Sequence, residues 1–203
     1  MQKFNAEITR SNILRLLEHS GVTLEQFANI IGVSRRWLLY IKSGKYEFDL
    51  TSIERASLFF NFSFSDLTTK TVVPKNNLRS VLAKQHKANP EFKKILEDIP
   101  SIPYAIQFVL ILDKDFASGE TFEIKEIRRI LNKYNMEYKS SSLSVELRKS
   151  PHIISEQSSV KMNTFLYKKR QTSWSLNCCG LRRLPYFGFS KFIDPTTWLQ
   201  AQQ

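Results

Sequence analysis

Apolar residues recur at helical spacing through the first hundred positions. Ile8, Ile13, Leu16 and Leu17 form one stripe and predict a helix over residues 8–18, which Gly21 ends. Thr23 then stands as an N-cap before Leu24, Phe27, Ala28 and Ile31, whose i, i+3, i+4, i+7 spacing predicts a second helix. Gly32 permits a tight left-handed turn. Ser34 caps a third helix from Arg35 to about Lys42, and Gly44 stops it. On a wheel at about 100° per residue, Trp37, Leu38 and Ile41 cluster toward the core. Arg35, Arg36, Leu39, Tyr40 and Ser43 fall on the opposite side.

Residues 69–76, "TKTVVPKN", read as a linker. Asn77 is placed to cap a helix carrying Leu78, Val81 and Leu82. Asn89 and Pro90 open another, with Phe92, Ile95, Leu96 and Ile99 as its stripe. Both stripes need a cover, either their own domain or a partner subunit. The run "YAIQFVLILDKDF" is nearly continuously apolar and predicts a buried helix. In "ETFEIKEIRRILNKYN", Ile124, Ile127, Ile130, Leu131 and Tyr134 share a face, with acids at the front and bases behind as the helix dipole favours. "SSSLSVELRKS" offers serine caps and a short helix with Leu143 and Leu147. Two β-prone runs, at about 152–156 and 160–168, flank the polar turn Gln157-Ser158-Ser159. The final segment, residues 171–203, mixes aromatics, glycine, proline and arginine without a period and reads as an arm docked on its own domain or on a partner. Interleaved bases and aromatics also occur where single strands stack.

Charge changes the picture. The chain of 203 residues holds 30 Lys and Arg against 19 Asp and Glu, a net +11 that attracts polyanions, nucleic acid or an acidic membrane surface. Residues 1–70 carry nine bases and seven acids, a net +2, whereas residues 139–203 carry ten bases and three acids, a net +7. Arg35 and Arg36 admit two readings, a solvated helix face or a face that reads nucleic acid. A leucine and a tyrosine between such bases favour the second: Arg suits guanine edges, Leu a thymine methyl, Tyr and Ser bases or phosphates.

The stretch "TLEQFANIIGVSRRWLLYIKSGK" resembles the helix-turn-helix of the lambda-repressor/Cro (XRE) family. The matching positions are Ala28 in the second helix, the turn "IGVS" at residues 31–34, Leu38 and Ile41, and "SGK" at residues 43–45. "LTSIERASLFFNFSFSDL" resembles that family's last two helices, with Asn61 where a glycine often ends the fourth. The resemblance covers about residues 7–68. It implies that Arg35, Arg36, Leu39 and Tyr40 lie at base edges, and that Thr23, Ser34, Ser43 and Lys45 lie near phosphates, where helix N-termini also help. Leu24 stands where a polar residue often contacts DNA in the family, and Leu39 where serine is common.

The later order of helix, helix, helix and hairpin resembles a winged helix. That resemblance implies a recognition helix at about residues 143–149 and a second DNA contact through Lys149, Lys161, Lys168, Lys169 and Arg170. An ordinary basic α+β dimerisation domain is the other reading. The expected fold class is therefore mainly α: a five-helix lambda-repressor-like domain at 1–68, a helical connector at 69–100, a winged-helix-like α+β domain at 101–170 and an arm at 171–203.

Catalytic readings are weaker. His19, His86 and His152 lie far apart in sequence and show no ligand spacing. No phosphate-binding glycine loop or nucleophile elbow occurs. Adjacent Cys178 and Cys179 match neither a disulfide framework nor a zinc site. Asp113 or Asp115 followed by Glu123-Ile124-Lys125 resembles the D…E-x-K of metal-dependent nucleases, although that motif lies on a strand and this one opens a helical run. With no apolar leader core in MQKFNAEITR and no long apolar run, a cytoplasmic chain without membrane contact is expected. The expected function is binding: a sequence-specific transcriptional regulator of double-stranded DNA, acting as a homodimeric repressor on a palindrome, with no metal and no cofactor implied. A replication or partition initiator of a mobile element, a nuclease and a protein-binding adaptor are the alternatives.

Overall fold

The computed structural model describes residues 5–158 and 164–170 and is mainly helical, with a small three-stranded antiparallel sheet. Helix α1 (Ala6–Ser20) opens on Asn5, whose side chain accepts from the backbone N–H groups of Glu7 and Ile8. Helix α2 (Leu24–Ile31) is held by a capping box in which Thr23 and Gln26 satisfy each other's N–H groups. Helix α3 (Arg35–Lys42) starts on Ser34. Helix α4 (Leu50–Phe60) starts on Asp49 and ends on Asn61, which takes the left-handed conformation (φ 54°) that a terminating glycine would supply. Ser63 caps α5 (Phe64–Thr69).

These helices enclose a core of fully buried Ile13, Leu16, Phe27, Leu38, Ile41, Ile53, Phe59 and Leu67. The buried Asn12 ties it to the chain that leaves α5. Its Nδ2 donates to the carbonyls of Leu67 (2.9 Å) and Lys70 (2.6 Å), and its Oδ1 accepts from Val72 N (2.9 Å). Helices α6 (Leu78–Gln85) and α7 (Pro90–Glu97) follow, and the cover for their stripes is internal. Leu78, Leu82 and Leu96 join the same core, with Phe92 and Ile95 packed on it and Ile99 left exposed. Asn89 caps α7 as its sequence implies, but Asn77 makes no side-chain cap to α6.

The second core begins at α8 (Ile102–Phe108). The apolar run expected as one helix breaks at Val109 (φ −121°, ψ −62°), passes through a 3-10 turn (Leu110–Leu112) and restarts as α9 (Lys114–Ala117). The break lets Leu110 and Phe116 both enter the core while Leu112 stays exposed. Strand β1 (Phe122–Glu123), α10 (Ile124–Asn132), α11 (Ser140–Lys149), β2 (Ile153–Gln157) and β3 (Phe165–Lys169) complete the fold. The strand order is β1-β3-β2, with Tyr167 opposite both Phe122 and Ser155. Helix α11 opens at Lys139 without a side-chain cap, so its serines do not act as the caps that the sequence suggests.

The cores meet where α1 ends. Gly21 (φ 67°) accepts a hydrogen bond from Ser101 N through its carbonyl (2.7 Å), and a Cβ there would stand 2.9 Å from Tyr104 Cγ. Buried Arg79 donates to the carbonyls of Ser20 (2.9 Å) and Asp98 (2.6 Å), while Tyr138 Oη donates to Pro100 O (2.8 Å). Burial pushes the Tyr138 phenol well above its ordinary range. His19 packs on Phe108, with ring centroids 4.9 Å apart.

Candidate nucleic-acid interface

The local sequence fixes the α2–α3 junction. Gly32 (φ 76°) closes α2, its N–H and that of Val33 returning to Asn29 O and Ala28 O. Arg55 Nη1 donates to Ile31 O (3.1 Å) and fills the space that a side chain on Gly32 would take. Ser34 Oγ then accepts from Trp37 N (3.1 Å), and α3 emerges with Leu38 and Ile41 fully buried beneath it. The ends of both short helices are therefore held by specific hydrogen bonds.

Above that base, Arg35, Arg36 and Leu39 are exposed, Leu39 to 40%. Arg36 Nε donates to Tyr40 Oη (2.9 Å), and its guanidinium carbon lies 5.6 Å from the Tyr40 ring centre. Lys45 Nζ lies 5.6 Å from the same ring. Ser43 Oγ donates to Tyr40 O (2.9 Å). Among the described residues, none of Arg35, Arg36, Lys42 and Lys45 is in an ion pair. Thr23 is half-buried, its hydroxyl engaged with Gln26.

Trp37 departs from expectation. It is 40% exposed and stacks on Tyr46, itself 46% exposed, with centroids 4.4 Å apart and planes 20° from parallel. Leu38 and Ile41 subtend only about 60° of the wheel, and Trp37 lies about 40° beyond Ile41, at the rim of a stripe too narrow to include it. Tyr46 from the following loop covers one face of the indole instead, and also tilts against Tyr40 at 5.6 Å. Trp37 and Tyr46 are the surface residues that the sequence reading missed. A Gly-Lys-Tyr loop directly after a capped helix was the available signal. Arg10 also approaches from α1: a Cβ on Gly44 would stand 3.6 Å from its Nη1.

The second candidate contact is not one cluster. Residues along β3 alternate between faces. Phe165, Tyr167 and Lys169 share the inner face, where Lys169 Nζ donates to Ile111 O (3.1 Å). Lys169 thus serves the fold, apart from Lys168 and Arg170 on the outer face. Lys168 pairs with Glu156 (2.8 Å), Lys149 pairs with Glu146 on α11 (2.8 Å), and Arg170 is exposed. Lys161 lies outside the described residues, as do Cys178, Cys179 and the expected arm. Arg148, which the sequence reading left out, lies over the Phe165 ring at 5.1 Å.

The nuclease carboxylates have structural partners. Asp113 caps α9 through Asp115 N and Phe116 N and accepts from Tyr134 Oη (2.8 Å), a phenol pushed up to about 12 by burial and then by that bond. Asp115 is ion-paired with Lys133, and Glu123 forms a capping box with Glu126 at the start of α10. Among the described residues, no group of three or more His, Cys, Asp or Glu side chains converges to hold a metal. Nor is any single helix among them long and apolar enough to cross a membrane.

Comparison with protein-family models, with curated proteins and with solved structures finds no match to this chain.

Proposed function

We propose that this protein binds double-stranded DNA in a sequence-specific manner and acts as a transcriptional regulator. The observation that carries the reading is the exposed face of α3. Arg35, Arg36, Leu39 and Tyr40 stand over a helix whose entry is capped and whose underside is fully buried, and neither arginine is in an ion pair among the described residues. An exposed leucine and a half-buried tyrosine beside two arginines that are outside any ion pair among the described residues suit a surface that reads base edges. The left-handed Gly32 junction and the left-handed Asn61 fit the resemblance to the lambda-repressor family's helix-turn-helix.

In this reading the hairpin side is a second, sequence-independent contact. The order of α10, α11, β2 and β3 and the β1-β3-β2 sheet support a winged-helix-like arrangement. Its cations are Lys168 and Arg170 on the outer face rather than Lys169, with Lys149 and Arg148 on α11 apart from them. A surface pair such as Lys168–Glu156 contributes only about 0–1 kcal/mol, so a phosphate can replace the acid. The functional unit is a homodimer on a two-fold site. Its interface lies away from the internally covered α6 and α7 stripes, and exposed Leu50 and Leu58 on α4 offer one surface.

The test is gel-shift titration on a duplex selected by the full chain from a randomised pool, with circular dichroism as the fold control. Arg35→Ala/Arg36→Ala is expected to keep the helical spectrum and lose about 1–3 kcal/mol of discrimination for each arginine that reads a base pair. Unchanged preference for the selected duplex would refute the assignment.

A further inference from the structure

Arg36 and Tyr40 stand one turn apart on α3, joined by the 2.9 Å bond from Arg36 Nε to Tyr40 Oη. A guanidinium has five N–H donors, one on Nε and two on each terminal nitrogen. Tyr40 occupies the Nε edge, so the parallel pair of donors left is on Nη1 and Nη2. The ring beneath the guanidinium and Lys45 against the same ring restrict where Tyr40 itself can move. Ser43 Oγ on the Tyr40 carbonyl adds a further tie at the end of the helix.

We propose that Tyr40 is a positioning residue rather than a reader of bases, and that it presets Arg36 to grip the O6/N7 edge of a guanine through Nη1 and Nη2. The inference rests on the duplex-DNA reading above and names one base and one side-chain edge within it. Its physical basis is the rotamer freedom of a long side chain. An arginine that must be ordered on binding opposes association, and one already held by a neighbour does so less. The guanine edge presents two acceptors at the spacing of two parallel N–H groups.

The experiment uses the full chain and the duplex it selects from a randomised pool. Each required guanine is replaced in turn by 7-deazaguanine, which lacks N7, and the affinity ratio between the two duplexes is the readout. At one position Arg36→Ala is expected to bring this ratio close to one. Tyr40→Phe keeps the ring and removes the hydroxyl; it is expected to lower the same ratio by roughly two- to tenfold, the effect of freeing one long side chain. In the Arg36→Ala background Tyr40→Phe should change the ratio no further. Thermal unfolding and affinity for an unrelated duplex should match those of the wild type, which a merely structural role for the hydroxyl would not produce. A wild-type ratio in Tyr40→Phe, together with a lost ratio in Arg36→Ala, overturns the positioning role and leaves the duplex reading standing. An equal loss in both backgrounds also overturns it, because Tyr40 would then act alone. A selected sequence with no required guanine, or ratios indifferent to Arg36, overturns the inference at its root, and absence of any selected duplex removes the reading beneath it.

Discussion

Replacing Gly32 by alanine tests how the α2–α3 junction is held. Two effects add. At φ 76° any residue with a Cβ is strained, by about 1–2 kcal/mol for the left-handed region. The new methyl would also stand 1.8 Å from Arg55 Nη1, so the guanidinium must swing away and give up its 3.1 Å bond to Ile31 O. A hydrogen bond from a charged donor contributes about 1.5–3 kcal/mol, and solvent around the exposed Arg55 cuts that to about 1 kcal/mol. The expected loss is therefore about 2–3 kcal/mol, measured by urea unfolding followed by circular dichroism. In an Arg55→Ala background the same change should cost only the strain, leaving a coupling of about 1 kcal/mol in the double-mutant cycle. A loss below about 1 kcal/mol, or strict additivity with Arg55→Ala, would refute this account of the turn.

Asn12→Leu keeps the branching of the side chain but leaves Leu67 O, Lys70 O and Val72 N without their partner, and is expected to cost about 2–6 kcal/mol in urea unfolding. His19 titrates below its ordinary 6.5, chiefly because burial disfavours the cation, with Glu18 raising and Arg15 lowering the value. The unfolded chain therefore binds the proton first: this contribution to stability is intact above about pH 6.5 and falls as pH drops below it, and His19→Gln should flatten that part of the pH profile. For DNA affinity against salt, Lys168→Ala/Arg170→Ala should flatten the slope of log K by about one to two units at about 0.9 per phosphate, whereas Lys169→Ala should leave it near the wild-type value.

What was legible in the sequence was local. Thr23 with Gln26, Ser34 with the N–H of Trp37, and Gly32 at a left-handed turn each involve groups within a few residues, so residue type at a fixed offset carries the structure. The buried Leu38 and Ile41 were legible for the same reason, since the helical period turns them inward, although the same period also places Trp37 there. Features set by distant partners were not. Lys169 looks like one of three adjacent cations until β3 turns it inward to a carbonyl 58 positions away. Strand β1 is two residues long and exists only through its pairing with β3. The cover over Trp37 comes from Tyr46, which belongs to no periodic element. On the α3 surface the exposure of the arginines was accordingly readable and that of the aromatic rim was not.

Trp37 lies on that rim and provides the most direct measurement. The chain has three tryptophans, and Trp174→Phe/Trp198→Phe leaves Trp37 as the sole indole emitter. Titrating this variant with a selected duplex, while anisotropy of a labelled DNA end reports total binding, compares occupancy of the α3 surface with association as a whole. If α3 reads the duplex, Trp37 emission changes and its quenching by iodide falls, both with the midpoint seen by anisotropy. Full binding by anisotropy with Trp37 emission and iodide access unchanged would place the DNA elsewhere and contradict the account.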